Sequence, residues 1–127
     1  MGVKILLFIT MLFCHIVDDF YLQGWLASAK QKTWWKKNAP EPLYKYDYLM
    51  ALFMHSFSWT FMITLPLTIY AFVVGGRWYI SLFIINIITH FITDDIKANK
   101  KQINLIQDQL IHVCQIIITW TVWMFDK

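Results

Sequence analysis

Four long apolar segments, separated by three polar connections, organise this chain. They run from Val3 to Ala27, Tyr48 to Val74, Trp78 to Lys97 and Leu105 to Phe125. Each meets the roughly 20 residues that an α-helix needs to cross the hydrocarbon of a bilayer. The first connection, Ser28 to Asp47, is polar and holds Pro40 and Pro42; the second turns at Gly75-Gly76-Arg77; the third is Ala98 to Asn104. Pro66 falls inside the second segment, where a membrane helix tolerates it with a kink. The pattern predicts an all-α membrane protein: one four-transmembrane-helix bundle over residues 1–127.

Composition strengthens that reading. Of the 127 residues, 58% are hydrophobic and 15% charged, against about 25% charged in an average soluble domain. So large an apolar share exceeds what one small domain can hide in a core, and lipid removes the difficulty. The net charge of +3 comes from lysines in loops, not along one basic face, and this excludes a nucleic-acid partner. Cys14 and Cys114 sit in apolar runs and read as reduced thiols. No small-residue cleavage site follows the first segment, so it reads as a retained helix and not a signal peptide.

Loop charges set an expected orientation. Lys30, Lys32, Lys36, Lys37, Lys45, Lys97, Lys100 and Lys101 fall on one side, and Lys4, Arg77 and Lys127 on the other. The lysine-rich side is expected to be cytoplasmic, with both termini non-cytoplasmic. Trp34, Trp35, Tyr44 and Tyr46 would mark the inner interface, and Trp78, Tyr79 and Trp123 the outer one.

The chemistry lies in polar residues placed inside the apolar segments. His15 and Asp19 are spaced i, i+4, as are His90 and Asp94; Asp108 and His112 repeat the spacing in reverse, and His55 lies on the second segment. Residues at i and i+4 share a helix face. A charged side chain at membrane depth costs about 2.5–3.5 kcal/mol on insertion scales, so seven of them need a reason. At 1.5 Å per residue, His55, His90 and His112 all fall about 10–12 Å from the lysine-rich ends of their helices, with the three acids roughly 5–12 Å deep. Four imidazoles and three carboxylates at a common depth are the ligand set of a transition-metal site, with zinc or manganese the expected ion. Buried His–Asp pairs can instead be interhelical hydrogen bonds that hold a bundle together.

Other polar residues are read more simply. Asp18 and Asp95 point about 100° away from the aligned acids and are expected to support the site or face headgroups. Gln23 and Gln109 are expected to contact a ligand or substrate. Lys97 is expected to snorkel to the interface, with a phosphate as its alternative partner. Ser56, Ser58, Thr60 and Thr64 read as helix-packing residues, and the Trp34-Trp35-Lys36-Lys37 run as an interfacial anchor, with anionic lipid second.

The run His15-Ile16-Val17-Asp18-Asp19-Phe20 with Gln23, then His55, then His90-Phe91-Ile92-Thr93-Asp94 with Lys97, then Asp108-Gln109-Leu110-Ile111-His112, covers all four segments. In this order and spacing it resembles a family of small bacterial and phage membrane proteins, the domain-of-unknown-function 3307 family. The resemblance implies a shared polar site with Asp19, Asp94 and Asp108 as its acids, and a bacterial inner-membrane location. It implies no activity. The His/Asp content is also similar to that of membrane-bound metal-dependent hydrolases.

The expected function is therefore a metal-dependent intramembrane hydrolase acting on a lipid-linked or phosphate-bearing substrate. His15, His55, His90 and His112 would be ligands, and Asp19, Asp94 and Asp108 ligands or, for one of them, the general base. Membrane lipid is the expected partner, and homo-oligomers are compatible with the chain. Two alternatives stand: a proton or metal-ion transporter, and a non-catalytic envelope accessory protein.

Overall fold

The computed structural model describes residues 2–125. Helix α1, Gly2–Ile16, runs straight into a π-helical turn, Val17–Leu22. The chain then breaks at Gln23 and Gly24; Gly24 has φ +53°, a left-handed conformation that costs a residue without Cβ little. The first helix thus ends at Leu22 rather than continuing to Ala27. The connection expected to be an open polar loop folds into α2, Leu26–Ala29, α3, Lys32–Asn38, and a 3₁₀ turn, Pro42–Tyr44. Helix α4 is the 28-residue Asp47–Val74, unbroken by Pro66 and closed by Gly75 in the left-handed region. Helix α5, Ile80–Asp95, passes into a second π-helical turn, Ile96–Lys100, and α6 spans Leu105–Phe125. There is no strand among the described residues.

Helix α4 packs against α1 and α5, and α6 closes the bundle between α1 and α5. Directions alternate. At one end the Trp120 indole donates to the Lys4 carbonyl (2.8 Å) and Lys4 Nζ to the Met124 carbonyl (3.1 Å), which ties the start of α1 to the end of α6. At the other end the first and third connections meet: the Lys32 amide donates to Asn99 Oδ1 (2.7 Å), and Asn99 Nδ2 to the Lys30 carbonyl (3.0 Å).

Burial divides the bundle into two halves. Met11, Trp59, Ile63, Leu67, Ala71, Ile116 and Trp123 form an apolar core in the half nearer the termini. In the half nearer the first and third connections the buried side chains include His15, Asp18, Asp19, His55, His90, Asp94, Asp108 and His112, beside Ala29, Ala51 and Leu52. Large apolar residues face outward: Phe72 is 90% exposed, Ile106 70%, Phe13 64% and Met50 62%. By length and composition, two helical stretches are apolar enough to cross a membrane, Gly2–Leu22 and Pro42–Val74. The sequence pattern anticipated four. The other two helices carry their polar load at one end: Asp94, Asp95, Lys97 and Lys100 close the third, and Gln107, Asp108 and Gln109 open the fourth.

Candidate metal centre

All four long helices deliver side chains to one point. Helix α1 and its π turn bring His15 and Asp19, α4 brings His55, α5 brings His90 and Asp94, and α6 brings Asp108 and His112. Three sets of three potential ligand atoms each lie within 4.8 Å of one another: Asp19, His55 and His90; His90, Asp94 and His112; Asp19, Asp108 and His112. The sets overlap through His90, His112 and Asp19. They describe one continuous cluster, not three separate centres.

The hydrogen bonds around the cluster fix its rings. His112 Nδ1 faces Gln115 Oε1 at 3.3 Å. An amide oxygen only accepts, so Nδ1 carries the proton. Gln115 is held in turn, its Nε2 donating to Asn86 Oδ1 at 3.2 Å, and Asn86 Nδ2 donates to Thr119 Oγ1 at 2.7 Å. In a neutral ring, His112 Nε2 is then a bare lone pair. It points at Asp108 Oδ1 (3.3 Å) and Asp94 Oδ1 (3.7 Å). None of these three atoms has a hydrogen-bond partner, and neither His90 nitrogen has one. Lone pairs facing one another in a buried site are costly unless a proton or a cation lies between them. A histidine whose far nitrogen is anchored to an amide oxygen is also how metal-ligating rings are oriented. The residues fit a divalent transition ion.

His15 is engaged differently. Its Nδ1 accepts the Trp59 indole N–H at 2.8 Å, which places its own proton on Nε2, 3.0 Å from Gln109 Oε1. Gln109 Nε2 donates to Asp19 Oδ2 (2.9 Å) and Asp108 Oδ2 (3.1 Å). With both nitrogens used, His15 orients Gln109, and Gln109 orients two carboxylates. His15 is in none of the three ligand sets. Trp59 also stacks on His90, with centroids 4.2 Å apart and planes at 19°; His90 stacks on His112 at 4.2 Å. The indole is the floor of the cluster.

Two lysines close the opposite side. Lys30 Nζ donates to Asp94 Oδ2 at 2.6 Å, and Lys97 Nζ to Asp108 Oδ2 at 2.5 Å. Lys97 does not snorkel away; it turns inward onto Asp108. Asp18 does not face headgroups either. It is buried, accepts from Ser58 Oγ at 2.6 Å and lies 3.8 Å from His55 Nδ1. The π turn spans Val17–Leu22, and both neighbouring acids are buried within it. Gln23 reaches neither ligand nor carboxylate; its amide donates to the Asp19 carbonyl at 2.7 Å. Asp95 is half-buried and binds Asn99 Nδ2 at 2.9 Å. Cys14 and Cys114 are free and belong to none of the ligand sets.

Residues 7–127 match a family described as "Protein of unknown function (DUF3307)". The chain belongs to this family. No curated protein and no solved structure matches it significantly. The site in this DUF3307 chain therefore has to be read from its own atoms. Those atoms add residues that the sequence pattern left out. Trp59 lies one turn after His55 and Gln115 nearly one turn after His112, so helical spacing held a signal for both. Lys30 lies beyond the first predicted helix, and nothing in the spacing points to it.

Proposed function

We propose that this chain is a membrane-embedded metalloprotein whose His/Asp centre supports hydrolysis of a phosphate-bearing or lipid-linked substrate. The observation that carries the reading is the convergence of partnerless lone pairs on His90, Asp94, Asp108 and His112, with the far nitrogen of His112 anchored to Gln115. The burial pattern supports the membrane setting, because outward Phe, Ile and Met side chains are at ease in hydrocarbon and buried polar groups need each other there.

Asp19, His55, His90, Asp94, Asp108 and His112 would hold the ion. A divalent transition ion, zinc or manganese, supplies Lewis acidity toward a phosphoryl oxygen and makes water nucleophilic at neutral pH. The remaining work falls to the chain. Asp94 and Asp108 each give one oxygen to a lysine and leave the other without a hydrogen-bond partner, so either would suit the general base while the other stays a ligand. Asp19 has its oxygens oriented by His55 (3.2 Å) and Gln109 (2.9 Å), keeps a second lone pair on each oxygen and belongs to two of the ligand sets, so it would serve as a ligand. None of the described cavities is lined by these six residues. Substrate would enter where Lys97, its side chain 31% exposed, swings off Asp108 and meets the anionic group. A through-path for ions is disfavoured, because the core of Met11, Ile63, Leu67 and Ile116 seals the other half.

The test is elemental analysis of protein purified in detergent without added metal, followed by phosphate release from phosphomonoester and pyrophosphate lipids. Stoichiometric zinc or manganese, lost in His90→Ala and His112→Ala together with phosphate release, supports the reading. Metal without phosphate release in any lipid would retain the centre and remove the hydrolase.

A further inference from the structure

At the same end of the bundle, outside the His/Asp cluster, the first connection folds around a cavity of ≈ 570 Å³. That volume is in the range of small-ligand sites. Lys32, Lys36 and Lys45 line it against a single acid, Glu41, and Trp35, Tyr44 and Tyr48 give it aromatic walls. We propose that this cavity is a headgroup site for an anionic phospholipid. The proposal rests on the membrane-embedded part of the reading above and is independent of metal.

The walls are built, not incidental. The Trp35 and Tyr44 rings stack with centroids 6.3 Å apart and planes at 20°. The Trp35 indole donates to the Ala29 carbonyl at 2.6 Å, anchoring α3 to α2. Trp25 and Trp34 pack edge-on against Trp35 at 6.0 and 5.0 Å. Pro40 and Pro42 stiffen the far wall. Lys32 Nζ lies 4.7 Å over the Tyr48 ring, which places its ammonium beside an aromatic wall of the cavity.

The ligand class follows from charge and shape. Three ammonium groups against one carboxylate favour a phosphate. An aromatic cluster with basic neighbours suits the headgroup level of a bilayer. From Tyr48 onward α4 presents the exposed apolar strip Leu49, Met50, Phe53, Met54 and Phe57. A cationic cup at the start of a helix with an exposed apolar strip matches an amphiphile with an anionic head and acyl tails. A soluble phosphate would use the cup and leave the strip bare.

The test titrates the full chain in neutral detergent micelles with phosphatidylglycerol and counts retained lipid by native mass spectrometry. Phosphatidylcholine serves as the zwitterionic control and inorganic phosphate as the competitor. Phosphatidylglycerol is expected to bind about tenfold more tightly than phosphatidylcholine. Lys36→Gln/Lys45→Gln should erase that preference, since each lysine near an anionic surface is worth about fivefold. Lys37→Gln/Lys101→Gln removes the same charge from exposed positions outside the cavity and should keep the preference. Equal losses in both double variants would overturn the site in favour of diffuse surface charge. Displacement by millimolar inorganic phosphate would overturn it in favour of a soluble anion, and equal binding of phosphatidylcholine would overturn headgroup recognition. Metal content read on the same samples separates the proposals: a failed lipid preference leaves the metal centre standing, and the reverse holds too.

Discussion

The two halves of the bundle are built on opposite rules. In the half nearer the termini, Met11, Ile63, Leu67, Ala71 and Ile116 interdigitate as ordinary apolar packing. The other half buries His15, Asp19, His55, His90, Asp94, Asp108 and His112. Five potential ligand atoms on His90, Asp94, Asp108 and His112 have no hydrogen-bond partner. A fold gains little stability from such a cluster, because desolvating ion pairs often cancels their attraction. The apolar half therefore reads as the part that holds the helices together, and the polar half as the part they are held together to present. Trp59 belongs to both, as a core side chain and as the floor under His90.

That boundary position gives the largest expected effect. Trp59→Ala removes a fully buried ring from the core and should cost about 3–5 kcal/mol in detergent unfolding. Trp59→Phe keeps much of the packing and loses the indole N–H to His15. It should melt near wild type while binding metal more weakly. Equal damage from both variants would erase the distinction between the halves.

Asp94→Leu comes next. Alone it leaves Lys30 buried without its carboxylate and should destabilise by about 3 kcal/mol. Asp94→Leu/Lys30→Met removes the pair together and should recover most of that loss, with metal binding still abolished. Thermal melts of the two variants in detergent decide it. A double variant as unstable as the single would make the polar half structural.

This pair also shows what spacing along a chain can and cannot reveal. The helices were legible from apolar runs, and the seven His and Asp groups from their common depth, because threading and the 1.5 Å rise convert sequence position into height. Rotation about the helix axis was less legible. A regular helix turns about 100° per residue, which left Asp18 open between supporting the site and facing headgroups; it is buried within the π turn at Val17–Leu22. Lys97 was expected to snorkel outward, and Lys30 was counted only as a loop charge. A lysine near a helix end normally snorkels outward, but here Asp94 and Asp108 are stronger partners than water. His15, equal to the other histidines by spacing, is distinguished only by its bonds to Trp59 and Gln109.

Gln109→Leu probes the smallest structural effect. It removes hydrogen bonds between helices that average about 0.6 kcal/mol in membranes, so melting should barely change. Metal affinity should fall roughly 10–100-fold, as it does when partners that orient ligands are removed. Competition with a chelator of known affinity measures it. Acidification gives an independent reading of the same centre. Imidazoles bind metal only when neutral. Occupancy should therefore fall as the pH is lowered; a pH-independent occupancy would exclude histidine ligation.

The central claim is that the partnerless lone pairs around His112 Nε2 are there for a cation. Elemental analysis of detergent-purified protein, prepared without chelator and without added metal, tests it directly. The account predicts stoichiometric zinc or manganese in the wild type and its loss in His112→Ala. Metal-free wild-type protein that stays folded and gains none on dialysis against zinc or manganese would contradict it, leaving a proton between Asp94, Asp108 and His112 in place of the ion.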